Sequence, residues 1–166
     1  PLTVDNIASG IRILLNEGGQ NVEIDTTSGI VNKNIEEIIS NHRRDPLRFP
    51  AEQASADIRG IVMHAIKEGI KSTGLALESF ETPDKTFYLR HKEFGEDYTF
   101  SVTSNLPGLL TSQANIAELA EPGIDVAGRI GGQAARGKGQ YLTAIHGGSP
   151  AKGITIQYDR TIGLKE

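Results

Sequence analysis

The 166-residue chain has no cysteine and no tryptophan. The first absence excludes disulfides, thiolate metal sites and cysteine nucleophiles. The other aromatics are scarce, with four tyrosines and five phenylalanines. No apolar run approaches the roughly 18 residues of a membrane-spanning helix. The opening "PLTVDNIASG" has no basic region leading into an apolar run, so it does not read as a secretory signal. Charge is close to balance, 17 Lys and Arg against 21 Asp and Glu, net −4. The strongest basic run, His42-Arg43-Arg44 with Arg48 nearby, is too small for the electrostatic footprint of a nucleic-acid binder and reads as a solvated helix end. Glycine is plentiful instead, at nineteen residues. That composition suits many turns and a modest core better than a deep enzyme pocket. Pro1 stands in mid-pattern without an initiator Met, which gives the expectation of a piece cut from a longer subunit.

Periodicity divides the chain. Asp5 can cap a helix with the stripe Ile7, Ile11, Leu14 and Leu15, stopped by Gly18-Gly19. "NVEID" reads as a strand with Val22 and Ile24 on one face, and "TTSG" as a turn. Asn34 opens a second helix with Ile35, Ile38, Ile39 and His42 on one side, and "RRDPLRFP" breaks it. A third helix begins with Pro50 in its first turn. Its stripe is Ala54, Ile58, Ile61, Val62, Ala65 and Ile66, and Gly74 ends it. Gly60, inside this helix, is expected to mark close packing against a neighbour. "VDNIASGIRILLNEGG" and "SADIRGIVMHAIKEGI" resemble one another as a degenerate helix-then-strand repeat.

From Leu75 the period changes to two. "LALESF", "TFYLRH" and "YTFSVTS" predict three consecutive strands of an antiparallel meander, with Tyr98, Phe100 and Val102 sharing a face. Residues 105–123 lack a regular pattern, apart from one helical turn at Ile116 to Leu119. "IDVAGRI", "QYLTAIH" and "GITIQYD" are strands again, so residues 125–159 form a hairpin or meander without a helix. The fold class is α+β: short amphipathic helices, then an antiparallel meander and glycine-rich hairpins. Residues 1–107 form an α+β domain. Residues 108–166 form a β-rich region that is either separate or part of the same domain.

The stretch "DVAGRIGGQAARGKGQYLT", residues 125–143, poses the chemical question. A phosphate-binding loop needs G-x-x-x-x-G-K-[ST] between a strand and a helix. Gly132, Gly137 and Lys138 satisfy its spacing, but Gly139 replaces the hydroxyl residue and an alternating β-pattern follows. The four histidines, His42, His64, His91 and His146, form no metal-ligand spacing. There is no G-x-S-x-G elbow, and Ser9 and Ser149 read as helix and turn serines. These residues point to no catalytic, cofactor or metal site.

The same stretch, followed by "GITIQY", resembles the hook IN motif of bacterial flagellins and flagellar hook-associated proteins. That motif runs D-V-A-G-T-I-N-G, a small-residue loop, G-x-G-Q-x-L-T, then G-L and an alternating strand. The matching positions are Asp125, Val126, Ala127, Gly128, Ile130, Gly132, Ala135, Gly137, Gly139, Gln140, Leu142, Thr143 and Gly153. Arg129 and Gly131 stand where Thr and Asn are usual. Upstream, Lys92, Glu93, Phe94 and Gly95 resemble the K-E-[FY]-G turn of flagellin central domains, and "ADIRGIVMHAI" resembles the helix before it. The resemblance covers about half the chain.

What it implies is an outward-facing central domain of flagellin, a structural and extracellular part of the flagellum. Motif residues such as Asp125, Gly128, Gly132 and Gly139 would then shape turns and bind no ligand. Partner subunits would be engaged through terminal helices absent from this stretch, which alone would be monomeric or weakly associated, with no nucleic acid or membrane partner. The filament cap shares the motif and is the alternative within the system. A surface adhesion or carbohydrate-binding module is the alternative from another class.

Overall fold

The computed structural model describes residues 2–7, 10–148 and 150–158. Among the described residues the chain folds as α+β, with two helices and antiparallel sheets. It divides into two compact units: Pro1–Lys92 with Phe100–Ala120, and Glu93–Thr99 with Glu121–Glu166. Residues 108–120 therefore belong to the first unit, and the K-E-F-G turn contributes to the second.

The first unit begins with a hairpin, β1 (Arg12–Glu17) and β2 (Gln20–Asp25). The expected first helix is not formed. "GIRILLNEGG" carries its bulk at Ile11, Ile13 and Leu15, which are buried with period two, while Leu14 is 41% exposed. Ile7, Ile11, Leu14 and Leu15 also fit a helical stripe, so the apolar pattern alone is ambiguous. The turn decides it. Glu17 pairs with Gln20, and the two residues between, Gly18 and Gly19, have φ of 59° and 83°. A type I′ turn, whose twist matches the strands, needs positive φ at both positions, which glycine adopts without strain. With the first segment a strand, the proposed helix-then-strand repeat disappears.

Helix α1 (Gly29–Arg44) starts behind Ser28, five residues before the expected Asn34, and buries Ile35 and Ile39. Asp45-Pro46 ends it, and His42 Nδ1 meets the Phe49 carbonyl at 2.7 Å. Helix α2 (Ala51–Thr73) starts behind Pro50 and stops at Gly74, left-handed with φ 71°. Its buried line is Ala54, Ile58, Val62, Ile66 and Ile70. Gly60 does not pack closely: a Cβ there would meet nothing within 4 Å. The close approach is at Gly69, where a Cβ would sit 3.1 Å from Val22 Cγ2 and 3.4 Å from Ile24 Cγ1. His64 is exposed beside the stripe.

Strands β3 (Leu77–Glu81) and β4 (Phe87–His91) form a separate two-stranded sheet. The expected three-strand meander ends there. β5 (Phe100–Ser104) pairs with β1 instead, and β6 (Glu118–Leu119), where one helical turn was expected, pairs with β5. The sheet order is β2-β1-β5-β6. Phe100, Val102 and Ser104 are buried along β5. Tyr98 lies outside the strand and is 37% exposed. One core cluster gathers β1, β2, β5, both helices and the β3–β4 hairpin.

The second unit contains a meander of β7 (Gly128–Ile130), β8 (Gln133–Lys138), β9 (Tyr141–Thr143) and β10 (Thr155–Gln157), paired in the order β10-β9-β8-β7. The stretch expected as a small-residue loop is thus a strand, β8. No helix occurs between residue 125 and residue 158 among the described residues; Asp159, Ser9 and Ser149 lie outside them. Ile130 and Ala144 are its buried apolar side chains among the described residues.

The strand assignment has a direct consequence in stability. Leu15→Ala should lower the unfolding free energy by about 2–5 kcal/mol, as for a fully buried leucine. Leu14→Ala, one residue earlier on the exposed face, should change it by less than about 1 kcal/mol. Denaturant melts of the two variants measure the contrast; equal losses would contradict the strand.

Candidate functional site

In the second unit, two segments distant in sequence meet at one carboxylate. Asp125 precedes β7 and is half-buried. Its Oδ1 accepts the backbone N–H of Gly139 at 2.8 Å and that of Glu96 at 3.3 Å. Gly139 returns a contact through its carbonyl, which accepts from Val126 N–H at 2.9 Å. Asp125 thus closes the loop 93–99 and the β8–β9 turn onto the strand leading into β7.

Packing here is backbone against backbone. A Cβ at Gly139 would lie 2.5 Å from the Phe94 carbonyl oxygen, and one at Gly123 would lie 2.7 Å from that of Gly95. A Cβ at Gly95 would fall 2.6 Å from Asp125 Oδ1, and one at Gly137 would overlap the Val126 carbonyl. At Gly123, Gly137 and Gly139 no side chain fits without moving main chain, and at Gly95 it would displace the Asp125 carboxylate. Gly139 adds a conformational demand, since its φ is 57° at the first position of the two-residue turn to Tyr141. Lys138 Nζ lies 3.3 Å from Asp97, but both side chains are largely exposed, so this pair adds little.

The other motif positions serve the strands. Gly128 and Ile130 lie in β7, with Gly128 directly beneath Leu142. Gly132 is in the turn to β8, which carries Ala135 and Gly137. Gln140 is in the turn to β9, which carries Leu142 and Thr143. Ala127 precedes β7 and is exposed. Gly153 donates to the Ala144 carbonyl at 2.9 Å. Gly123 and the Glu96 amide were missed: neither periodicity nor spacing signals which loop a carboxylate will clasp.

Carboxylates elsewhere act in the same way. Glu118 Oε1 accepts from Ser112 N–H at 2.7 Å, Ser112 Oγ at 2.8 Å and Gln113 N–H at 2.9 Å. The Ser112 hydroxyl first, then the Gln113 amide, hold its pKa below the ordinary glutamate value. Asp25 Oδ1 accepts from Thr27 Oγ1 at 2.6 Å and Thr27 N–H at 2.7 Å, and the Thr27 hydroxyl leads the lowering of its pKa. In the first unit Glu17 holds Ala76 N–H at 3.2 Å and the His91 imidazole at 3.3 Å, tying the end of β1 to the β3–β4 hairpin.

Chemically, this arrangement positions loops. An Asp125 oxygen occupied by two backbone donors is committed to them and is poorly placed as a general base. Among the described residues no three His, Asp or Glu side chains gather as a metal site, and no helix is long and apolar enough to cross a membrane. Aromatic contact is internal as well: Phe80 stacks on Tyr88 at 5.6 Å, with Arg90 over the Phe80 ring. No protein-family model, curated protein or solved structure matches the chain.

Removing the clasp should loosen the second unit specifically. Asp125→Ala should cost about 1.5–3 kcal/mol, the range for hydrogen bonds to a charged group. Hydrogen exchange at the Glu96 and Gly139 amides should accelerate, while exchange in β1 stays unchanged. Uniform acceleration would argue against a local clasp.

Acid should act through Glu118 and Asp25. Both have folded pKa values below their unfolded ones, so their contribution is fully present above the unfolded carboxylate range near pH 4. It disappears as pH falls through the lower folded values. Thr27→Val and Ser112→Ala should flatten this acid limb in urea melts recorded from pH 6 to pH 2; a limb as steep as that of the parent would refute the assignment.

Proposed function

We propose that the chain is an outward-facing structural module of the bacterial flagellar filament, from a flagellin, and performs no catalysis. The reading rests on the sequence resemblance, and one observation lends it physical support. The two stretches that carry the resemblance, the K-E-F-G turn and the D-V-A-G to G-K-G-Q run, meet at Asp125, Gly95 and Gly139. Residues that could have been spaced for a ligand are spent on main-chain contacts instead. A module displayed on a polymer needs a durable surface and fixed loops, which are what glycine packing and a carboxylate clasp provide. It requires no cofactor.

Antibodies raised against this chain provide the test. On filaments sheared from the source cells they should label the full length. Label confined to the tips would assign the module to the cap, and unlabelled filaments would reject both.

A further inference from the structure

The first unit contains an open cavity of about 390 Å³ between the C-terminal part of α2 and the face of β3. Its floor is apolar, formed by Ile70, Leu75 and Leu77. Its rim carries Lys67, Lys71 and Lys92. None of the three lysines makes an ion pair among the described residues. Lys67 and Lys71 are four apart on one helix, so they are neighbours on one face and repel each other. The one acid at the rim, Glu78, is taken: its Oε1 lies 2.6 Å from Arg90 Nε. A wall residue, Ser79, has a buried hydroxyl with no hydrogen-bond partner, an unmet donor of a kind folded chains rarely leave.

A helix C-terminus normally repels anions. Here three carbonyls near that end are hydrogen-bonded. The Gly69 carbonyl accepts the Ser72 and Thr73 hydroxyls at 3.0 and 2.8 Å. The Ile70 carbonyl accepts Leu75 N–H at 3.1 Å, and the Lys71 carbonyl accepts Gly74 N–H at 3.3 Å. The lining thus carries three lysines against one carboxylate that is already paired, in a chain whose net charge is −4.

We propose that this cavity binds a small amphiphilic carboxylate, its apolar body on Ile70, Leu75 and Leu77 and its carboxylate among Lys67, Lys71 and Lys92. The volume falls within the range of small-molecule sites. Three cations at one end and an aliphatic floor at the other match a medium-chain fatty acid better than a compact inorganic anion, which would leave the floor wet. They match it better than a neutral hydrocarbon, which would leave the lysines repelling. The site is independent of the Asp125 clasp and of the filament reading.

Octanoate is the probe, titrated into the 166-residue chain and followed by amide and methyl NMR. The shifts should concentrate on Ile70, Leu75, Leu77 and Lys71 and saturate with a Kd below about 5 mM. Octanol and inorganic phosphate should each bind more weakly. Lys67→Gln, Lys71→Gln and Lys92→Gln should each weaken octanoate by roughly two- to fivefold, the span of one exposed ion pair, while Lys33→Gln on α1 changes nothing. Thermal melts matching the parent would show that the lysine variants remain folded. Scattered or absent shifts, equal binding of octanol or phosphate, or unchanged affinity in the triple lysine variant would each overturn the proposal.

Discussion

Strand β1 is bonded along both of its edges, to β2 through a two-residue turn and to β5 across most of the first unit's sequence. Ile13 and Leu15 on its inner face, and Ile11 just ahead of it, are wholly buried, and each such side chain contributes roughly 1.5–3 kcal/mol of transfer free energy. Its flanking groups are paired with equal care. Ile11 exchanges both backbone hydrogen bonds with Thr26, one to the main chain and one to the hydroxyl. Asn105 serves Arg12 N–H and the Gly10 carbonyl with its side chain. Helix α2 packs on this sheet through Gly69, and Ser55 and Arg59 on α2 hold Val4 N–H and the Leu2 carbonyl. Displacing β1 would break the ladders to β2 and β5 and leave the Ile11 and Arg12 amides without their acceptors.

The second unit is held by different means. With little apolar side-chain area to bury, it relies on ladder hydrogen bonds, on glycines that let main chain touch main chain, and on Asp125. Such contacts are short-ranged and intolerant of added volume, since a methyl group at Gly137 or Gly139 would meet a carbonyl oxygen rather than a yielding side chain. Buried apolar cores tolerate shape-conserving exchanges more readily. The two units thus place their sequence constraints on opposite residue classes: large aliphatics in one, the smallest residue in the other.

Long, strongly periodic segments were legible. The stripe of α2 and the alternation in "NVEID", "TFYLRH" and "FSVTS" each carry one dominant period, and those elements formed. "GIRILLNEGG" was misread because Ile11, Leu14 and Leu15 fit a helix as well as a strand, and only Gly18-Gly19 discriminates. The pairing of β5 with β1 was not legible, since nothing local to "FSVTS" names its partner, and adjacency in sequence favoured a meander. β8 was obscured because Ala134, Ala135 and Gly137 carry almost no strand propensity; the neighbouring strands and turns impose its extension. For the site, Gly139 in place of a hydroxyl residue and the alternation after it predicted a strand there, and β9 follows the turn. The meeting of Asp125 and Gly139 with Gly95 is a tertiary fact that no window of sequence contains.

The union of β1 and β5 also has a cost in time. Arg12 and Asn105, bonded at 2.8 Å, are 93 residues apart, so the central sheet cannot close until nearly two-thirds of the chain is available. Pairings of such long range are entropically expensive to nucleate and slow folding at a given stability. Until β5 arrives, the β1–β2 hairpin has a bare edge beside Ile13 and Leu15, a template for strands of other chains. The charged Arg12 and Glu17 at the two ends of β1, and Lys92 ahead of β5, stand where gatekeeping charge would protect that interval. This hazard belongs to the nascent molecule, before residue 104 has emerged.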